Sequence, residues 1–231
     1  MSWFADERHT CPSCRHDFMA ATADTINVTR MPGARDQILA GTFHRLRCPQ
    51  CQTRITIDRS FLYTDLRREH FVHVFPRDHE RDWPQWEEIA GETFWRGFVP
   101  GPPAMREVAT RFLVRAVFGL EALADKLRVW DAGLDDALVE LCKLELATTH
   151  PDLSQRGDLA LDVVAVGDAL IEVEASSLLG AWPPENLGIR RSRYAELAGA
   201  RTELVAKFPG LFMRPYAGFR RLARETLAGA G

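Results

Sequence analysis

Four of the five cysteines stand in two copies of one short pattern, Cys11-Pro12-Ser13-Cys14 and Cys48-Pro49-Gln50-Cys51. Proline at the second position pre-sets φ for a tight turn, and the turn aims both thiolates at one point. Two such turns supply four soft ligands. A tetrahedral shell of four sulfurs suits Zn²⁺, with an iron–sulfur centre as the competitor. All four positions are filled by the protein, so the expected site is closed and structural, and no catalytic residue is assigned. Metal binding of this kind supplies folding free energy on the order of 10 kcal/mol. The alternative is a pair of independent redox motifs, but neither Cys-x-x-Cys opens a helix after a strand.

The spacing is unusual for a compact ribbon. Between Cys14 and Cys48 lie 33 residues, against roughly 15–20 in the common pattern. The insert must therefore make an excursion of its own. Arg15 and Gln52 come after the second cysteine of each pair, where a left-handed backbone would favour glycine.

Several short elements must position these thiols. Thr25–Thr29 and Arg54–Asp58 alternate like strands, Phe43–Arg47 is extended into Cys48, and Phe61–Tyr63 and Phe71–Phe75 are further short strands. Pro32 opens a short helix that Gly41 closes. Residues 1–82 thus form a strand-rich, zinc-ribbon-like domain with an inserted helix. Residues 83–104 carry Pro84, Gly91, Gly97 and the run Pro100-Gly101-Pro102-Pro103 and are expected as a connection. Their aromatics, Trp83, Trp86, Phe94, Trp95 and Phe98, are expected to pack between the two parts. Residues 105–231 read as a mixed α/β domain. A strand at 111–118 leads into a helix through Leu120, Leu123, Ala124 and Leu127 that ends at Gly133. A second helix carries Asp135 and Asp136 in its first turn and Leu138, Leu141 and Cys142 inward. A hairpin turns at Gly167-Asp168, and helices near 190–207 and 215–228 complete the chain. The fold class is α+β.

The segment Cys11–Pro76 resembles the CpXC domain of bacterial proteins. The two Cys-Pro-x-Cys motifs, the strand Ile26-Asn27-Val28-Thr29 and the segment Phe61-Leu62-Tyr63-Thr64-Asp65 carry the likeness. Gly119–Lys143, with Glu121–Leu127 and Ala132–Asp136, is similar to the region on the C-terminal side of such domains. The resemblance implies a metal-binding domain of bacterial, cytoplasmic origin and implies nothing about catalysis.

At 231 residues and 46% hydrophobic composition the chain can bury a sizeable core without disulfides. Nothing approaches 18 consecutive apolar residues and the start lacks a signal-peptide layout, so a cytoplasmic protein with reduced thiols and no membrane partner is expected. The net charge of −3 is unevenly spread: residues 83–189 hold 8 Lys/Arg and 18 Asp/Glu, and residues 190–231 hold 9 and 3. The basic tail offers Arg190, Arg191, Arg193, Arg220 and Arg221 as candidate phosphate contacts. Asp162, Glu172 and Glu174 form an acidic strand pair, which could hold a hard cation but lacks an accompanying lysine. Cys142 is expected as a buried, inert thiol, and His44 as exposed. The leading expectation is a non-enzymatic adaptor or scaffold that binds a protein partner or a second copy of itself. The alternative is a nucleic-acid-binding regulator using the tail arginines, and third stands a metal-dependent enzyme using the acidic strands.

Overall fold

The computed structural model describes residues 2–98, 100–153 and 155–228. The architecture is α+β, and the described chain divides into two compact units, 1–123 and 124–231.

The first unit is built on a five-stranded sheet in the order β1 (Trp3–Thr10), β2 (Asp17–Asn27), β5 (Phe61–Asp65), β6 (His70–Phe75) and β7 (Leu113–Phe118). β1 and β2 form a long antiparallel hairpin, β5 and β6 a short one, and the β2–β5 and β6–β7 neighbours run parallel. Parallel neighbours need crossovers. The first crossover carries α1 (Pro32–Leu39) and the small hairpin of β3 (Arg45–Arg47) and β4 (Arg54–Thr56). Gly41, at φ +62°, closes α1 as expected from the sequence. The second crossover carries α2 (Trp83–Phe98) and α3 (Pro103–Ala109).

This second crossover departs from the expected connection. Residues 83–98 are one helix: Pro84 falls in its first turn, where a missing N–H costs nothing, and aromatic packing outweighs the low propensity of Gly91 and Gly97. Phe94 and Phe98 pack against Phe71 at 5.1 and 6.1 Å between ring centroids, and Trp86 packs on Phe75 at 5.1 Å. These aromatics therefore serve the first sheet's own core. Trp95 alone among the five large ones is mostly exposed. β7, expected to open the second part, pairs with β6 along its whole length. The proline-glycine run after α2 does act as a break, with Pro103 starting α3.

The second unit holds a three-stranded antiparallel sheet in the order β10 (Glu185–Arg190), β9 (Leu170–Ser177) and β8 (Leu159–Val166). The turn at Gly167-Asp168 is where the sequence places it. β10, which the residue pattern does not announce, covers the outer side of β9. The division between units falls inside α4 (Leu120–Asp131). α5 (Asp136–Thr149) starts on Asp135, whose carboxylate accepts from the Ala137 N–H at 3.0 Å. Leu138, Leu141, Leu161, Val163, Ile171, Val173, Ile189, Leu211 and Leu222 make one core. The tail forms α6 (Arg191–Gly199), α7 (Arg201–Lys207), α8 (Pro209–Met213) and α9 (Phe219–Ala228): Ala200 breaks the helix expected near 190–207, and α8 is a short extra helix ahead of the one expected near 215–228.

Candidate metal centre

Each Cys-Pro-x-Cys turn sits at the tip of a β-hairpin. The first comes after the Thr10–Asp17 pair of β1 and β2; the second comes after the Arg47–Arg54 pair of β3 and β4. Their backbones are equivalent. Cys11 C=O accepts from Arg15 N–H at 2.9 Å and Cys11 N–H donates to His16 C=O at 2.9 Å. Cys48 C=O accepts from Gln52 N–H at 2.9 Å and Cys48 N–H donates to Thr53 C=O at 3.0 Å. Arg15 and Gln52 close the turns at φ +58° and +60°, the left-handed positions that the sequence pattern calls for and that non-glycine residues occupy at some strain.

The two tips meet. The four Sγ atoms lie within 4.8 Å of one another, and Cys11–Cys51 and Cys14–Cys48 approach to 3.6 Å. A tetrahedron with metal–sulfur bonds of about 2.3 Å has sulfur–sulfur edges of about 3.8 Å, so the four thiols fit a metal-sized shell. Cys11 and Cys48 are fully buried and Cys14 and Cys51 are exposed. The hydroxyl of Thr53, 3.1 Å from Cys51 Sγ, and the Thr53 backbone N–H pull the Cys51 thiol down to about 6. At Cys14 the His16 backbone N–H favours the thiolate, yet desolvation and the three neighbouring thiols push that group up to about 12. Sharing of protons among crowded thiols is relieved when a cation replaces them.

A family model described as CpXC protein matches residues 9–143. The chain belongs to the CpXC family. No curated protein and no solved structure matches it. The matched span of this CpXC protein contains both cysteine turns, all of β2 through β7, and α5 as far as Lys143.

Two further contacts hold the tips in place. β5 pairs with β2 only from Thr25 to Asn27, which leaves the Ala23 N–H without a strand partner on that side. His44 fills the position: its Nε2 accepts from Ala23 N–H at 2.9 Å, and its ring stacks on Phe43 at 4.2 Å and meets Phe61 edge-on. His44 is thus buried at 8% exposure, not exposed, and adopts φ +54°. Arg59 ties the β1–β2 hairpin to the segment before β5 by pairing with Glu7 at 3.1 Å and with Asp24.

Burial pushes His44 down to about 4, helped by Arg59 and His9, and pushes His73 of β6 down to about 4. The unfolded chain therefore binds more protons than the folded one between pH 6.5 and 4. Stability present above about pH 6.5 is lost as pH falls through that window, by up to about 1.4 kcal/mol per pH unit for each histidine. Urea midpoints at pH 7, 6 and 5 should fall in that order. His73→Gln should flatten the slope; an unchanged slope would show that His73 is not a buried neutral group.

The tail arginines lie on three different elements. Arg190 ends β10, Arg191 and Arg193 open α6, and Arg220 and Arg221 lie on α9. Arg193 binds Glu145 bidentately at 2.6 and 2.8 Å and Glu196 at 2.6 Å. Arg220 donates to Leu159 C=O at 2.7 Å, and Arg221, 4% exposed, donates to Tyr216 C=O and Glu225. A surface cavity of about 510 Å³ between α5 and β10 is lined by Arg190, Arg193 and Cys142 among others. Cys142 is 2% exposed and burial pushes it up to about 12, as expected of an inert thiol. Asp162 and Glu174 face each other across β8 and β9, with Glu172 two residues along. Among the described residues, only the four cysteines gather three or more metal-ligating side chains.

A buried ionic network in the second unit has no counterpart in the sequence-based expectations. Glu140 of α5 is its hub: Oε1 accepts from Lys126 Nζ at 2.8 Å and Lys143 Nζ at 2.9 Å, and Oε2 from Phe219 N–H at 2.8 Å. Lys143 also donates to Asp125 at 2.8 Å, Lys126 reaches Asp136 at 3.4 Å, and Asp125 accepts from Val163 N–H at 2.7 Å. All five side chains are 2–5% exposed. Burial pushes Asp125 up in spite of both ammoniums, whereas Lys126 and Lys143 overcome burial to hold Glu140 down. The available signals are Asp125-Lys126 amid the apolar positions Leu123, Ala124 and Leu127, and Asp136, Glu140 and Lys143 at helical spacing on α5.

Proposed function

We propose that Cys11, Cys14, Cys48 and Cys51 hold one structural zinc ion, and that the first unit is a non-enzymatic recognition module whose two hairpin tips the metal locks together. The meeting of two equivalent turns within 4.8 Å carries this reading. Four thiolates complete the shell and leave no open position for a substrate, which supports a structural role. Four sulfurs at this separation accommodate one tetrahedral ion better than a sulfide-bridged iron cluster, and zinc is proposed over a lone iron because a closed structural site calls for no redox change. A rigid tip on a scaffold strand pair is the way recognition surfaces are presented.

Elemental analysis of protein purified under reducing conditions should give one zinc per chain. Replacement by Co²⁺ should give the intense visible and near-ultraviolet bands of a tetrahedral tetrathiolate. Stoichiometric iron, with or without inorganic sulfide, or a folded protein with no metal, would overturn the assignment.

A further inference from the structure

The β3–β4 hairpin is short, and its two faces differ. Leu46 and Ile55, opposite one another, are half-buried; the other face carries Arg45, Arg47, Arg54 and Thr56. Arg47 lies directly across the ladder from Arg54, and Arg45 is two residues along from Arg47. Like charges directly opposite one another destabilise a strand pair, and a two-stranded hairpin is marginal to begin with. No hydrogen bond, ion pair or ring contact is made by the side chains of Arg45, Arg47 or Arg54 among the described residues, and all three are exposed. Other arginines of this unit are used differently: Arg59 pairs with Glu7 and Asp24, and Arg68 with Asp65. Arg15, exposed and with an equally unengaged side chain, comes after Cys14, whose sulfur is 3.6 Å from that of Cys48. The hairpin tips therefore gather arginines that the fold leaves unneutralised.

We infer that the arginine face of the β3–β4 hairpin binds the phosphodiester backbone of a nucleic acid. The proposal rests on the recognition-module reading above and names its partner. Guanidinium groups match phosphate bidentately. Arg45 and Arg47 are spaced by about 6.7 Å along the strand and Arg47 and Arg54 by about 5 Å across it, a fixed row that suits a ligand with regularly repeated charges. Offsetting of the anionic tetrathiolate centre by these arginines is the competing role, and an acidic peptide is the competing ligand. Both are read in the same experiment.

Full-length, metal-loaded protein is titrated by fluorescence anisotropy with a 20-nucleotide single-stranded DNA, the same sequence as RNA, a 20-base-pair duplex and poly-glutamate, from 50 to 300 mM salt. At least one nucleic acid should bind, with log affinity falling by about 2 to 3 per unit of log salt for three phosphate contacts. The triple variant R45A/R47A/R54A should weaken this about tenfold or more and flatten the slope, whereas the triple lysine variant should keep most of the slope. R190A/R191A should change neither. Absence of binding at 50 mM salt, affinity unmoved by the triple alanine variant, or poly-glutamate binding as tightly would each overturn the proposal. So would loss of metal from the triple alanine variant at full occupancy of the parent, since the arginines would then belong to the centre. Metal content measured on every sample keeps this result separate from the zinc assignment, which fails only if the parent itself lacks zinc.

Discussion

Removing the metal from the reduced protein should release both hairpin tips while the centre of the first sheet survives. The outer half of the β1–β2 hairpin has one exposed face, with Met19 at 60% exposure, and one face that is only half-buried. β3 and β4 pair over three residues each. Neither hairpin buries enough apolar surface to stand alone. What holds them is the cysteine cluster, the His44–Ala23 bond and the Arg59 ion pairs. Exposed ion pairs contribute at most about 1 kcal/mol and a hydrogen bond about as much, against metal binding on the order of 10 kcal/mol. The metal term therefore wins. Chelation, or Cys48→Ser, should lower amide-exchange protection in residues 5–21 and 44–56 by about 1,000-fold or more, with β5 and β6 much less affected. Equal protection with and without metal would show that the tips fold by packing alone. Acid should do the same as chelation, because each ligand must be a thiolate.

A loss of similar consequence is expected at Lys143. Three carboxylates and two ammoniums share one buried site, so Lys143→Met leaves Asp125 and Glu140 facing each other with Lys126 as the remaining cation. Breaking a buried pair from one side costs about 3–5 kcal/mol, because the partner's charge stays desolvated. At a urea dependence of about 2 kcal/mol per molar the midpoint, tracked by the fluorescence of Trp130 and Trp182, should fall by about 2 M. Glu140→Gln should cost less: it removes the single surplus negative charge and leaves two carboxylates against two ammoniums. Equal losses for both variants would mean that shape, not charge balance, governs the network.

The strands and caps legible in the sequence are those with local causes. Pro32 and Gly41 bracket α1, Gly133 comes after α4, and the alternation of Ile171, Val173 and Ala175 with Glu172 and Glu174 makes β9 one-sided. The first half of β2 and all of β1 are not legible, because Trp3–Thr10 places Ala5, Glu7 and His9 on a face that is only half-buried, so no apolar period appears. The burial of His44 is not legible either, because the chain position of a histidine says nothing of an unpaired N–H on another strand. The tail arginines stand side by side twice in sequence, which says nothing of their partners; the folded chain places them on β10, α6 and α9, where carboxylates or carbonyls engage Arg193, Arg220 and Arg221.

Residue order alone was enough to single out the four thiols that meet. Proline-preset turns bring each pair of sulfurs together locally, and four sulfurs have few uses besides a metal. Which strand joined which sheet was left to the folded molecule, since β6–β7 pairing closes over about 40 residues and depends on α2 aromatics finding Phe71 and Phe75. So was the gathering of five charged side chains from α4 and α5 into one buried site, because long-range packing alone makes a solvent-loving lysine a core residue. Contacts close in sequence are written in residue spacing; contacts far apart depend on the surface that the rest of the chain has already buried.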